Sequence, residues 1–402
     1  MTTSTPSSSG QRRYRLDAID VLRGLVIVIM AIDHVRDYTV ANAPLDPVAD
    51  PNVTAAMFFT RWITHYCAPV FVMLAGVSAG LMTARKSRSE LGLFLLTRGL
   101  WLVFIEFAII STAWTFAPAG IAGFGGLTVI PLQVIWAIGL SMIALAGLQV
   151  LGRSVCLWLG IAVLAAHNLL DMFWPATEML DTKWPLWVAL HAQMAAPAGP
   201  FLLVNVYPFP AWIGVILLGF GVSPVFELPE EQRKAALIRA GVLLTAGFVV
   251  LRALDVYGDP NPWQMQTRGM LATIIDFLNT TKYPPSVLFL MMTLGPSAIV
   301  CAFANRVPGA IRRMLVTFGR VPFAFYVAHL YLIHSISVLL GVAQGFRASQ
   351  MFTVFFFFPK GYGLPLPGVY TAWALVVVLL YPLCRWMAEV KARRRDWWLS
   401  YL

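Results

Sequence analysis

Arg15-Leu-Asp-Ala-Ile-Asp20-Val-Leu-Arg23-Gly24-Leu-Val-Ile-Val-Ile-Met-Ala-Ile-Asp33-His34-Val-Arg36-Asp37 reads as a membrane helix with polar ends. Gly24 to Ile32 are wholly apolar, and ionisable groups crowd both flanks. At about 100° per residue, Asp20, Arg23, His34 and Asp37 project within one arc of roughly 100°, with Asp33 just outside it. Asp20 and His34 are separated by roughly 21 Å of helix axis at about 1.5 Å per residue. One face of one helix therefore carries ionisable groups near both membrane surfaces. Such groups are costly in a bilayer and by default mark function. Charges at helix ends also act as snorkelling interfacial anchors, and for Asp20 alone both readings stand.

The rest of the chain agrees with a membrane setting. Its 402 residues are 59% hydrophobic and 12% charged, against about 25% charged in a typical soluble protein, and the mean hydropathy is +0.73. Residues 107–152, 192–226, 283–305, 321–346 and 361–384 contain no Asp, Glu, Lys or Arg. These runs approach or exceed the roughly 20 residues of a spanning helix. They are continuous rather than alternating, which excludes a barrel. The expected fold is all-α, a polytopic integral membrane helical bundle of about ten transmembrane helices. The spans fall near 19–40, 58–83, 92–116, 130–150, 155–174, 208–226, 235–257, 284–305, 315–340 and 368–388. Residues 1–14, Ser/Thr-rich and then basic, read as a disordered cytoplasmic tail without the apolar core of a signal peptide. A transmembrane domain follows over 15–390, then a basic tail over 391–402.

A net charge of +10 does not imply nucleic acid, because the basic residues recur in short clusters between apolar runs, as orientation signals do. With the N-terminus inside, 20 Lys and Arg face the cytoplasm and five the other side. That bias places both termini in the cytoplasm and the chain in the cell (plasma or inner) membrane. The four cysteines form no CxxC, so neither disulfides nor a metal site is expected. Phe355–Phe358 reads as an interfacial patch rather than an eleventh span, because Pro359-Lys360-Gly361 stops it. Pro197 to Pro210 reads as irregular backbone packed over the bundle, with a re-entrant course left open.

Within this topology the polar residues divide by side. His34, His65, His167, His191, His329 and His334 fall in the outer half or near mid-membrane, whereas Arg23, Arg98 and Arg320 stand at cytoplasmic ends. Neutral bases outward and fixed cations inward suit a reaction at the outer side that uses an anionic reagent from the cytoplasm. Arg61 and His65, at i and i+4, share a face on the opening turns of the second span. With His34 and Asp37 they frame either a pocket or an interfacial hydrogen-bond cluster. Glu106, alone among apolar neighbours, reads either as a functional acid or as paired with an arginine or histidine of another helix. Arg252 and Asp255 read as a structural ion pair. His167, Asn168 and Asp171 fit either role. Lys282-Tyr-Pro-Pro-Ser286 introduces the eighth span, with Lys282 facing a substrate anion or the interface.

The ordered set Arg15–Gly24, Arg61-Trp-Ile-Thr-His65-Tyr-Cys-Ala-Pro69, Leu74-Ala-Gly76, Phe94-Leu-Leu-Thr-Arg98, Lys282–Ser286 and Gly319-Arg320-Val-Pro322 with Tyr326 and His329 resembles transmembrane acyltransferases. It is most similar to bacterial relatives of heparan-α-glucosaminide N-acetyltransferase, over about residues 12–390. The resemblance implies a ten-helix enzyme that takes an acyl group from cytoplasmic acyl-CoA, acetyl-CoA in the simplest case, and delivers it to a sugar across the membrane. The superfamily's histidine falls on His34, and the arginine that meets the CoA phosphates falls on Arg98. The chain departs in one respect. The human sugar acetyltransferase has its functional histidine between the first two spans, whereas residues 41–57 here contain none, so the role passes to His34 or His65 or is absent.

The expected assignments follow. His34 is base or transient acyl carrier, oriented by Asp33 or Asp37. His65 and Arg61 belong to the acceptor pocket, with Lys282 and His329 also on the substrate side. Arg98 and Arg320, with Arg23, belong to the acyl-CoA side, the first two holding the phosphates and Arg23 with Asp20 either lining the passage or pairing with each other. The expected partners are the lipid bilayer, acyl-CoA and a carbohydrate or glycolipid acceptor; a homodimer stays open. A non-enzymatic transporter of a glycolipid or small anion would use the same stripe as a permeation path, but calls for matched halves that the sequence lacks. A b-haem carrier using His34, His65 and His329 would be coloured.

Overall fold

Capping residues start helices where the apolar runs begin. In the computed structural model, which describes residues 8–41, 50, 53–172, 191–394 and 396–401, Ser87 and Glu90 form a reciprocal capping box at the start of α4 (Arg88–Ile105). Before it come α1 (Ser8–Thr39) and α2 (Ala55–Trp62), which passes through a 3-10 turn into α3 (Cys67–Met82). After α4 a π-helical turn at Glu106–Ile110 leads into α5 (Ser111–Thr115). Then follow α6 (Val134–Leu148), α7 (Arg153–Ala166), α8 (Pro210–Val222), α9 (Glu230–Leu254), α10 (Met270–Leu278), α11 (Val287–Ala302), α12 (Gly309–Arg320), α13 (Pro322–Ala343) and α14 (Leu366–Arg393).

Among the described residues eight helical segments are long and apolar enough to cross a bilayer: Ala55–Met82, Arg88–Thr115, Val134–Leu151, Arg153–Asp171, Pro210–Glu227, Glu230–Leu254, Pro322–Ala343 and Leu366–Arg393. The other two expected spans correspond to α1, which has the length but charged ends, and to α11, apolar and 16 residues long.

Several expectations are corrected. The span drawn at 315–340 is two helices, because the chain breaks at Val321 (φ −130°, ψ 46°) and restarts with Pro322, a residue tolerated only in a first turn. Pro197 to Pro210 is not wholly irregular. Strand β2 (Met194–Ala198) pairs antiparallel with β3 (Phe201–Asn205), and β3 pairs in parallel with β1 (Thr128–Leu132), which satisfies the backbone groups by sheet bonding. Arg252 does not pair with Asp255, which ends α9 in the left-handed conformation, exposed. Its guanidinium donates to the carbonyls of Phe277, Asn261, Asp276 and Asn279 and lies 3.9 Å from Asp259. Ser8–Tyr14, expected as tail, continue α1, since extending a formed helix adds one hydrogen bond per residue without a new nucleus. Residues 1–7 lie outside the described residues. At the other end α14 runs to Arg393 and takes in Lys391. Of the Phe355–Phe358 run, Phe355 and Phe358 pack on Tyr38 while Phe356 and Phe357 are exposed.

The centre of the bundle is α1, clasped by α12, α13, α14 and α3. Two glycines set its closest crossing. A Cβ on Gly24 would stand 1.9 Å from the Leu315 carbonyl oxygen, and one on Gly319 would stand 1.9 Å from that of Asp20. Backbones at this spacing leave no room for any side chain, as in small-residue crossings of membrane helices. The contact fixes α12, and with it Arg320, against the part of α1 that carries Asp20.

Candidate active site

Four cations meet at the end of the bundle beside Asp20 of α1. Arg23, Arg98, Arg320 and Lys391 line one cavity of about 290 Å³ whose far end is bounded by Met30 and Tyr326. The Arg23 guanidinium donates to Asp20 Oδ1 (3.1 Å), the Gly319 carbonyl (3.2 Å) and Ser78 Oγ (3.1 Å). Arg320, at the joint between α12 and α13, lies 3.4 Å from Asp17 and 3.5 Å from Asp20, yet its side chain is 50% exposed. Lys391 Nζ donates to the Arg320 carbonyl (3.4 Å). Two carboxylates among four cations leave the mouth positive, which favours an anionic ligand.

One helical turn beyond Met30 and Tyr326 stands a histidine pair. His34 Nδ1 and His329 Nε2 are 2.6 Å apart, with the rings stacked at 4.9 Å. Trp114 meets the His34 ring edge-on at 5.1 Å, and Tyr326 at 6.3 Å. The hydrogen-bond network assigns the protons. His329 Nδ1 faces the carbonyl oxygens of Tyr326 (2.5 Å) and Phe325 (3.1 Å), which can only accept, so Nδ1 bears the hydrogen. Nε2 of a neutral His329 is then an acceptor, and His34 Nδ1–H is its donor. The lone pair of His34 is thereby placed on Nε2, which makes no hydrogen bond among the described residues. A fixed tautomer with one free basic nitrogen is what a general base or nucleophile requires.

Among the described residues neither Asp33 nor Asp37 hydrogen-bonds the His34 ring. Asp33 is held by Arg61 (2.5 Å) and Arg36 (2.9 Å), and Asp37 by Arg36 (2.5 Å). Arginine forks compete better for a buried carboxylate than a neutral imidazole does. The result is a buried ion network capping α1 on the side opposite the cation cavity. Lys282 is buried within electrostatic reach of Asp33, His34 and His65, with its ammonium 5.2 Å from the centre of the Tyr283 ring. Burial pushes the Tyr283 phenol up, but Lys282, Arg61 and the Tyr207 hydroxyl beside it outweigh this and hold it below the ordinary tyrosine value. His65 packs on Phe289 at 5.4 Å, and its buried Nδ1 has no hydrogen bond among the described residues.

The structure thus gathers His34 and His329 at the centre, Arg23, Arg98 and Arg320 around the cation cavity, and Asp33, Asp37, Arg61, His65 and Lys282 near the opposite end of α1. Glu106 does not pair with a cation. Its carboxylate accepts the backbone N–H of Gln133 (3.2 Å) and Trp136 (3.0 Å), donors that the start of α6 leaves free. Sequence reasoning missed Lys391, Trp114 and Ser78. Lys391 was one more basic residue at a cytoplasmic helix end, and the other two carry no signal of their own. His167 bonds the Leu164 and Pro285 carbonyls, and Asn168 bonds both Asp171 and the Val287 N–H. That cluster holds the Lys282–Ser286 turn in place.

Comparison with known proteins supplies the family. No curated protein matches the chain. The family described as "Heparan-alpha-glucosaminide N-acetyltransferase, catalytic" matches residues 15–256, more than half of the chain. That stretch holds Arg23, Asp33, His34, Asp37, Arg61, His65 and Arg98, in agreement with the resemblance drawn from the sequence motifs. The chain belongs to the heparan-α-glucosaminide N-acetyltransferase family.

Proposed function

We propose that the chain is an acyl-CoA-dependent O- or N-acyltransferase of the cell inner membrane. It crosses the bilayer ten times with both termini cytoplasmic, and moves an acyl group, most simply acetyl, to a sugar or related acceptor on the extracytoplasmic side. The ten crossings are the eight apolar segments together with α1 and α11, oriented by the basic bias of the inner loops. The observation that carries the reading is the free Nε2 of His34, one helical turn beyond Met30 and Tyr326 at the far end of a cavity whose mouth is cationic.

Arg98, Arg320, Arg23 and Lys391 bind the phosphates of acyl-CoA at the inner mouth, and the thioester end points along the cavity towards Tyr326. Arg61, His65 and Lys282 bind the acceptor from the other side, while Asp33 and Asp37 hold the arginines in place. His34 Nε2 takes the proton of the acceptor hydroxyl or amine as its oxygen or nitrogen attacks the thioester carbonyl. Tyr326 O–H stabilises the charge on the carbonyl oxygen. The carbon–sulfur bond then breaks, and the departing thiolate takes from His34 the proton that the acceptor gave up. A general base of this kind contributes about 10²–10⁴-fold.

The test is release of CoA by purified protein given acetyl-CoA and candidate sugars, alongside His34→Ala. Turnover is expected to fall to the background level in the variant while CoA binding persists. With labelled donor and no acceptor, a base leaves the protein unlabelled, whereas a covalent carrier retains label on His34. Near-normal turnover in a folded His34→Ala protein would refute the assignment and move the role to His65.

A further inference from the structure

A second cavity of about 550 Å³ has no role in this chemistry. It is a groove along α11 from Val287 to Cys301, walled by residues such as Leu74 of α3, Leu218 of α8 and Leu243 of α9. At about 1.5 Å per residue the α11 wall is roughly 21 Å long, past the middle of a hydrocarbon core about 30 Å thick. No charged side chain lines it, and the Ser297 hydroxyl is spent on the Thr293 carbonyl (2.6 Å). Water has no partners there. Leu243 and Ile161 on its rim are 70% and 39% exposed, so the groove opens sideways into lipid.

The two ends differ. One is closed by Phe226, 4% exposed, beneath the Ser223–Glu227 turn. The other ends at Val287 and Ala165, directly after the Lys282–Ser286 turn. There Val287 N–H bonds Asn168, and His167 bonds the Pro285 carbonyl. On the opposite flank of α11, Phe289 packs on His65 and Met292 accepts from the Trp62 indole. One helix therefore has the outer polar residues on one flank and the groove on the other, joined at the turn that carries Lys282.

We propose that the groove is the tail site of a lipid-linked acceptor: a long alkyl chain lies along α11 and brings its glycan head to the Lys282–Ser286 turn. The identity of that head as acyl acceptor rests on the acyl-transfer reading; the tail site does not. A chain reaching past the bilayer middle fits the length, an all-apolar wall fits its chemistry, and the sideways opening admits it from the membrane without passage through water.

The test uses the full chain in phosphatidylcholine nanodiscs and two photo-crosslinking probes with a diazirine near the chain end, a long-chain alkyl glycoside and a phosphatidylcholine. The glycoside is expected to label Leu243, Met291 and Leu294 about tenfold more strongly than the phospholipid does. Ala298→Trp and, on the facing helix, Ala240→Phe should each cut that labelling about tenfold while acetyl-CoA binding is unchanged. Equal labelling by both probes, or labelling unchanged in folded variants of both kinds, would mean that ordinary bilayer lipid fills the groove and would overturn the proposal. CoA release in the same nanodiscs is read separately. Selective labelling without CoA release would establish the tail site and defeat acyl transfer instead.

Discussion

Replacing His329 with leucine removes the acceptor that fixes the tautomer of His34. In the native protein His34 Nδ1–H is satisfied by His329 Nε2 at 2.6 Å in a buried site. Leucine leaves that donor buried without a partner, which costs about 1–3 kcal/mol. The imidazole can escape by moving its proton to Nε2, which spoils the base. Either route raises the barrier by a similar amount, and about 1.4 kcal/mol is tenfold in rate. His329→Leu is therefore expected to lower kcat by about tenfold to a hundredfold, less than His34→Ala, with KM for acetyl-CoA little changed. His329→Gln is the informative control, because its side-chain carbonyl accepts a hydrogen bond near the position of Nε2 and should restore much of kcat. The double variant His34→Ala/His329→Leu should be no slower than His34→Ala alone, since the two residues act as one unit. The assay is steady-state CoA release on protein shown to be folded by size exclusion. Full activity in His329→Leu, or glutamine no better than leucine, would refute the tautomer argument.

Arg98→Ala and Arg320→Ala should each weaken acyl-CoA binding by about tenfold to a hundredfold, from roughly 1.5–3 kcal/mol per charged contact, as read by calorimetry; Lys391→Ala should act in the same direction. Unchanged binding in all three would place the donor elsewhere. Reporter tags at residues 1, 88, 233 and 402 should read cytoplasmic, and tags near 50, 190 and 270 extracytoplasmic; a tag near 190 reading cytoplasmic would remove the division between inner arginines and outer histidines. Gly319→Val should destabilise the protein by about 1–3 kcal/mol or more through overpacking, because its Cβ would stand 1.9 Å from the Asp20 carbonyl oxygen. A thermal midpoint in detergent equal to that of the native chain would contradict the close crossing.

What the sequence made legible was what depends on neighbours along the chain. Uncharged runs gave nearly every long helix, and Arg23 and Asp20, three residues apart, do pair at 3.1 Å. Three kinds of feature were not legible. The sheet joins β1 to strands some seventy residues later in the chain, and each piece is too short to show alternation. The break at Val321 depends on α12 turning away to bury Leu315 and Phe318 against α1, whereas the sequence offered only a proline near the start of a run. The partner of His34 is the third case. Asp37 stood at the right helical spacing, but Arg36 and Arg61 take both nearby carboxylates, and the group that bonds the histidine comes from a helix 295 residues away. Glu106 misled for a related reason, since a buried carboxylate can be satisfied by the start of a helix as well as by a cation.

The His34–His329 contact also bears on when the chain becomes competent. The first helix to be inserted holds its unpaired imidazole through the synthesis of most of the protein, and the partner arrives only with α13. Arg320 and Lys391, which complete the cavity mouth, are also late in the chain. The portion matched by the family ends at residue 256, so that portion by itself has the basic nitrogen but not the group that sets its proton. A nascent or truncated chain thus contains His34 in an unset state, and competence switches on with the last helices rather than growing in proportion to length. Co-expressing the two halves of the chain, divided after residue 256, should therefore yield activity only when both fragments associate.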